Sequence, residues 1–302
     1  MAARAFEMLI VEVRCNEYTS RRANPHVPFS PEEIAADAAD CREAGAAIVH
    51  FHAREPRSGA PAYDTACYGD SIRRIRAACD VLVNPTLGAV TVPDPKQRVA
   101  IIPALAADSA TRPELAPVDL ASLNIDPWDP DKRRFLVEDM IYATSVAGLR
   151  EITGTIRAAG VLPQAVLWGV GSARLLGAFL ELGVFATPVA AQIALADSLL
   201  AAHPGSVRGM NALVDFLPAG ADIVWSVMNA GGSVLPLVAA AIERGGHVSI
   251  GLGDYAYPEL GAPTNAELVR EVARIARSCG RELAKPAEVR ARLGIARNSA
   301  VV

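Results

Sequence analysis

Short apolar, β-branched runs recur along this chain, each followed by a segment of helical period. That alternation constrains the fold more than any other feature. Residues 8–14, 47–51, 81–84 and 120–124 read as strands, as do 165–168, 189–194, 223–228 and 247–252. The runs are continuous rather than alternating, the pattern of a parallel sheet covered by helices. Helical periods fill 31–43, 70–78, 96–106, 144–159, 172–182, 234–243 and 265–279. Ala-rich segments in the fourth to seventh units fit a strand or a buried helix equally well. Ser30-Pro31-Glu32-Glu33 offers an N-cap, a first-turn proline and early acids. Gly45, Gly160, Gly183 and Gly280 fall just past predicted helix ends, where a left-handed cap is wanted.

About eight strand–helix repeats favour a closed (β/α)8 barrel, the TIM barrel of the α/β class, over an open doubly wound sheet. No Gly-x-Gly-x-x-Gly follows the first strand, which argues against a dinucleotide fold. No low-complexity linker interrupts the chain, so residues 1–302 are expected to form one domain. Hydrophobic residues make up 51% and charged residues 21%, ample for a core and far from a disordered composition.

A net charge of -4 provides no electrostatic footprint for nucleic acid or anionic lipid. The longest apolar runs fall short of a membrane span. Five cysteines without Cys-x-x-Cys spacing point to a reducing compartment, and no basic head with a long apolar stretch marks a signal peptide. The expectation is a cytoplasmic protein with neither a nucleic-acid nor a membrane partner.

Barrel active sites lie at the C-terminal ends of the strands, and polar residues gather there in this sequence. The first strand ends in Asn16-Glu17 and the second in His50-Phe51-His52-Ala53-Arg54-Glu55. The third ends in Asn84-Pro85-Thr86-Leu87-Gly88, the fourth in Ser122-Leu123-Asn124 and the eighth in Gly251-Leu252-Gly253-Asp254. His50 and His52, two apart on a strand, emerge on one face and can hold one Zn²⁺ or a similar divalent ion. A hydrogen-bonded histidine pair without metal is the plainer reading of the same spacing. Glu17 and Asp254 are the nearest acids, each readable as a third ligand, as a partner orienting an imidazole, or as a solvated loop acid. Thr86, Gly88, Ser122 and Asn124 offer hydroxyl, amide and backbone N–H groups suited to a substrate carboxylate. Arg54 could join them or pair with a nearby loop acid. Asn229-Ala230-Gly231-Gly232-Ser233 opens a predicted helix at Val234, either as an anion-binding turn or as a plain tight turn.

The His-x-His-x-Arg strand end, the Ser122-Leu123-Asn124 segment and the run from Gly245 to Asp254 resemble the β-keto acid cleavage enzymes, which include 3-keto-5-aminohexanoate cleavage enzyme. Thr264-Asn265-Ala266-Glu267-Leu268-Val269, Gly280-Arg281-Glu282 and Pro286-Ala287-Glu288 are similar to that family's tail, and the entry at Pro28 to Glu33 fits as well. The likeness is strong at both ends and faint between about residues 140 and 225. It implies a zinc-dependent (β/α)8 barrel, a homo-oligomer such as a dimer or tetramer. Such an enzyme condenses a small β-keto carboxylic acid with acetyl-CoA as co-substrate, giving acetoacetate and a new acyl-CoA. His50 and His52 would hold the zinc and Thr86, Ser122 and Asn124 the carboxylate, while Asp254 matches the acid of the family's Glu-Asp pair.

Three departures stand out. The family's third ligand, a Glu directly before that Asp, is Gly253, and the Arg partnered by the Asp is Ser249. Around Pro163-Gln164-Ala165-Val166 the acids that the aminohexanoate enzyme places on its amine are absent. Completion of the metal site therefore falls to Asp254, Glu17 or water, and Asp254 and Glu17 are the candidates for proton transfer. Two other functions remain open to such a chain: a metal-dependent hydrolase or aldol-type lyase, and a carboxylate-binding barrel without catalysis.

Overall fold

The computed structural model describes residues 8–88, 92 and 94–296, so the single unit expected over 1–302 runs past the described residues at both ends. Eight parallel strands form the sheet: β1 Val11–Arg14, β2 Ile48–Phe51, β3 Leu82–Pro85, β4 Leu115–Asp119, β5 Leu162–Leu167, β6 Val189–Ala196, β7 Ile223–Ala230 and β8 His247–Ile250. Their order is β3-β2-β1-β8-β7-β6-β5-β4. The seam between β3 and β4 is closed at Glu114, whose N–H donates to Val83 O at 3.1 Å and whose Oε2 accepts from Val83 N at 2.9 Å. The expected TIM barrel is the fold observed.

Helices α1 Pro31–Ala44, α2 Thr65–Ala78, α3 Pro95–Ala106, α4 Val146–Ala158, α5 Val170–Glu181, α6 Val207–Val214, α7 Val238–Glu243 and α8 Asn265–Ser278 follow the strands, and α9 Pro286–Leu293 is the last helix among the described residues. Ser30 and Glu33 make the reciprocal capping box that opens α1. Gly45 closes that helix at φ 117°, where a side chain would strain the backbone. In α8, Leu268, Val269, Val272 and Ala276 are buried at helical spacing, each large member adding about 1.5–3 kcal/mol. No helix among the described residues is long and apolar enough to cross a membrane.

The fourth strand lies at Leu115–Asp119, not at 120–124 as the sequence pattern suggests. Pro117 breaks the strand signature there. It is tolerated because β4 forms a ladder only with β5 and no ladder runs on its β3 side. Residues 120–145 instead leave the barrel in an excursion with two short antiparallel ladders, Leu123–Asn124 with Ile141–Tyr142 and Trp128–Asp129 with Arg134–Phe135. The predicted helix at 234–243 is a 3-10 turn, Leu235–Leu237, followed by the short α7. Helices α6 and α9 had no counterpart in the sequence pattern.

The barrel interior is layered. Ile10, Ile48, Leu82, Leu115, Ala190 and Val224 form an apolar floor. One pleat higher, Glu12 accepts from Asn84 Nδ2 at 2.7 Å, Gln192 Nε2 at 3.0 Å and Ser249 Oγ at 3.0 Å. A buried carboxylate needs such partners, and this girdle of neutral donors supplies them. Above it opens the mouth.

Candidate active site

The mouth is assembled chiefly by β1 and β2. His50 lies in the ladder between Arg14 and Asn84, with its side chain in the barrel. His52 is one residue past the end of β2, yet it is held in line by Asn16. That side chain accepts from His52 N at 2.9 Å and donates to His52 O at 3.0 Å and Pro28 O at 2.9 Å. An amide side chain thus continues the strand pairing where the backbone ladder has stopped. The two rings stand 5.3 Å apart at 72°, and Tyr18 meets His52 edge-on at 5.2 Å.

Glu17 completes this group. Its Oε1 is 3.4 Å from His50 Nε2 and 4.0 Å from His52 Nε2, and one ligand atom from each residue fits within a 4.8 Å span. Ligands about 2.1 Å from a zinc ion at tetrahedral angles are about 3.4 Å apart, so the donor set and spacing fit a metal. Burial, followed by the nearby Arg14 charge, pushes both imidazoles well below their usual pKa. They are neutral at neutral pH, the state in which a ring nitrogen can ligate.

Gly253 explains how Glu17 reaches this place. A Cβ at 253 would lie 2.9 Å from Glu17 Cγ, 3.0 Å from Glu17 N and 3.0 Å from Arg14 O. The space that a side chain at 253 would need is filled by the acid from the end of β1.

The second charged element is Arg14, which sequence reasoning passed over as an ordinary strand residue. Its Nε donates to Asp254 Oδ1 at 2.8 Å, its Nη1 to Gln192 Oε1 at 3.2 Å, and its Nη2 forms an ion pair with Glu17 Oε1. The arginine expected opposite Asp254 at position 249 is therefore supplied from β1, and Ser249 joins the Glu12 girdle. Burial pushes the Asp254 carboxyl above the usual carboxylate range while Arg14 pulls it back. Asp254 turns to Arg14 rather than to the histidines, and its Oδ2 has no hydrogen-bond partner among the described residues.

Arg14, Glu17, His50 and His52 line a cavity of about 440 Å³, which Thr86 and Gln192 also line. Asp119, at the end of β4, lines it too, with Oδ1 accepting from Trp168 Nε1 at 2.8 Å. Placing β4 five residues too late concealed Asp119, which otherwise ends its strand like the other rim residues.

Several expected residues are engaged elsewhere. Arg54 is buried and spends its guanidinium on the carbonyls of Gly59, Asn16 and Thr19, each at 2.7 Å. This makes it a brace for the β1 and β2 loops rather than a lining residue. Ser122 exchanges hydrogen bonds with Thr144 O and Thr144 N, and Asn124 is exposed on the excursion opposite Ile141. Gly88, at φ 68°, donates its N–H to Thr86 Oγ1 at 3.2 Å, turning the chain beside the mouth. The Gly231-Gly232 turn is filled from within: the Asp197 carboxylate accepts from Asn229 Nδ2 and Gly205 N, both at 2.8 Å. Its Oδ2 would lie 1.9 Å from a Cβ on Gly232, so the plain-turn reading holds there.

The family model of the beta-keto acid cleavage enzyme matches residues 8–295. The chain belongs to this family. The 3-dehydrocarnitine:acetyl-CoA trimethylamine transferase of Rhizobium meliloti is 30% identical over 283 residues, 89% of this chain and 90% of its own length. The 3-keto-5-aminohexanoate cleavage enzyme of Fusobacterium nucleatum is 28% identical over 287 residues, 94% and 96% of the two chains. Among solved structures, the ternary complex of ObcA with C4-CoA adduct and oxalate matches with a TM-score of 0.67 at 18% identity. That match covers 89% of this chain and 68% of the other, a likeness of fold. The resemblance read from the two histidines and the tail thus extends over nearly the whole chain.

Proposed function

We propose that this chain is a zinc-dependent β-keto acid cleavage enzyme using acetyl-CoA. The observation that carries the proposal is the His50, His52 and Glu17 cluster, its ligand atoms within 4.8 Å of one another on the cavity wall of a member of this family. In the net reaction the C2–C3 bond of the keto acid breaks and C2 bonds to the acetyl carbonyl carbon. The CoA sulfur moves to the remaining acyl group, so acetoacetate and a new acyl-CoA leave.

His50, His52 and Glu17 would hold the zinc, which would supply Lewis acidity at the substrate ketone. The Thr86 hydroxyl binds the substrate carboxylate. Arg14 faces the cavity with Asp254 behind it, so its guanidinium would stabilise the negative charge that develops as the C2 proton leaves, and Asp254 is the candidate group to take and return that proton. A buried carboxylate holding the guanidinium from behind fixes its orientation. Gln192 fixes Nη1 from below, so the guanidinium has few alternatives to one pose. Cytoplasmic location and a homo-oligomeric state belong to the same reading.

The test pairs elemental analysis with turnover. About one zinc per chain and acetyl-CoA-dependent acetoacetate formation are expected in the wild type, and both should vanish in His50→Ala. Full activity in a metal-free His50→Ala protein would overturn the reading. Turnover of the acid without acetyl-CoA would favour a hydrolase instead.

A further inference from the structure

We infer that the cavity is built for a β-keto acid ending in an uncharged apolar group, an alkyl chain of several carbons or an aryl ring. The inference rests on the acetyl-CoA-dependent reading above and names the substrate class for the same site.

The lining of the cavity divides by chemistry across the barrel, apart from Gln192 of β6, whose amide oxygen is taken by Arg14. Arg14, Glu17, His50, His52 and Thr86 come from the β1, β2 and β3 side. In the observed strand order β5, β6 and β7 lie across the barrel from those three. From that far side and the excursion above it come Val166, Met228, Leu123, Ile125, Met140 and Leu199. Val166 and Met228 are buried, whereas Leu123, Ile125, Met140 and Leu199 are only half-buried. Apolar side chains left partly wet on a concave wall gain when a ligand displaces that water. A cation placed against them would lose hydration with no counter-charge in return. Among the described lining residues Asp119 is the one acid on that side, and its Oδ1 already holds the Trp168 indole.

The wall is also held in place by contacts of its own. Pro127 bridges to Leu199, and Trp128 N donates to Ser198 O at 2.8 Å, fastening the excursion to the loop after β6. Trp128 packs edge-on against Phe135 at 5.1 Å. None of these residues belongs to the metal cluster. The excursion serves to close an apolar wall over the far end of whatever the triad and Arg14 hold at the near end.

The experiment measures kcat/KM with acetyl-CoA for 3-oxopentanoate, 3-oxohexanoate, 3-oxooctanoate and 5-amino-3-oxohexanoate, following acetoacetate. The expected result is a rise of about fourfold per added methylene. The amine-bearing acid should fall at least about tenfold below 3-oxohexanoate, as an unpartnered charge demands. Ile125→Asp, or Leu199→Gln if that variant fails to fold, should lower the value for 3-oxooctanoate and raise it for the amine. A flat or falling alkyl series, or a preference for the amine, overturns the inference. If none of the acids yields acetoacetate, the cleavage reading fails and calorimetry on the wild type decides the wall separately. Octanoate binding more tightly than 6-aminohexanoate would support the apolar wall, and equal or reversed affinities would overturn it.

Discussion

Gly253→Ala adds one methyl group at the point where this chain departs from its family, and its effect can be worked from the surroundings. The new Cβ would meet Glu17 Cγ at 2.9 Å, and Glu17 N and Arg14 O at 3.0 Å. Two of these three atoms are backbone, so little can yield except the Glu17 side chain. Overpacking of this kind costs about 1–3 kcal/mol, or about 2–6 °C in melting temperature for a domain of this size. Displacing Glu17 should also weaken zinc by about 10–100-fold, the range seen when ligand positioning is disturbed. Two assays separate these effects. Thermal unfolding of the EDTA-treated protein reads the packing term, and chelator competition reads zinc affinity. Gly154→Ala is the control: it lies exposed within α4 with nothing within 4 Å of its Cβ, and should stabilise by about 0.5–1 kcal/mol. Wild-type melting and wild-type zinc affinity in Gly253→Ala would refute the argument that position 253 is small because Glu17 uses its space.

Three further outcomes are expected. Arg14→Ala leaves Asp254 and Glu17 without their cation, their side chains only 3% and 13% exposed, and should cost about 3–5 kcal/mol and abolish acetoacetate formation. Adding Asp254→Asn should return part of the stability, read by melting, and none of the activity. Arg54→Met removes three hydrogen bonds to carbonyls and should destabilise by about 3 kcal/mol or more, with KM for the keto acid little changed; a KM effect without a stability loss would make Arg54 a substrate contact after all. Asp37 is raised to about 7, chiefly by burial and against the hydrogen bonds from Cys15 and Asn265. The folded state then holds a proton that the unfolded chain has released, so stability should fall between about pH 4 and 7, by at most about 1.4 kcal/mol per pH unit. Asp37→Asn keeps an acceptor for Asn265 and should flatten that slope; an unchanged slope in melting against pH would count against the assignment.

Residues 50 and 52 show what local sequence can determine. Alternation along an extended backbone fixes which side chains share a face, so two histidines at that spacing enter the barrel together once Asn16 extends the pairing through His52. The same holds for the barrel itself, because continuous apolar runs separated by capped helices leave few other ways to bury the sheet. Ser30 and Glu33 needed only their own turn to cap α1. Glu17 was recognisable as a nearby acid, but its place beside the histidines depends on Gly253, more than two hundred residues away in sequence and in contact only once β8 lies against β1. Arg14 reads in sequence as one more strand residue. Its pairing with Asp254, in place of an arginine at 249, exists only across the closed β1–β8 junction. Pro117 misdirected the reading of β4, since a proline is barred from a ladder in general and allowed at this one because β4 is laddered on a single side. Local pattern determined the elements and the faces they bury, since those follow from backbone geometry within a few residues. Tertiary structure alone decided which acid reaches the histidines, which arginine holds Asp254 and which side chains wall the cavity, because each depends on distant segments meeting in the closed barrel.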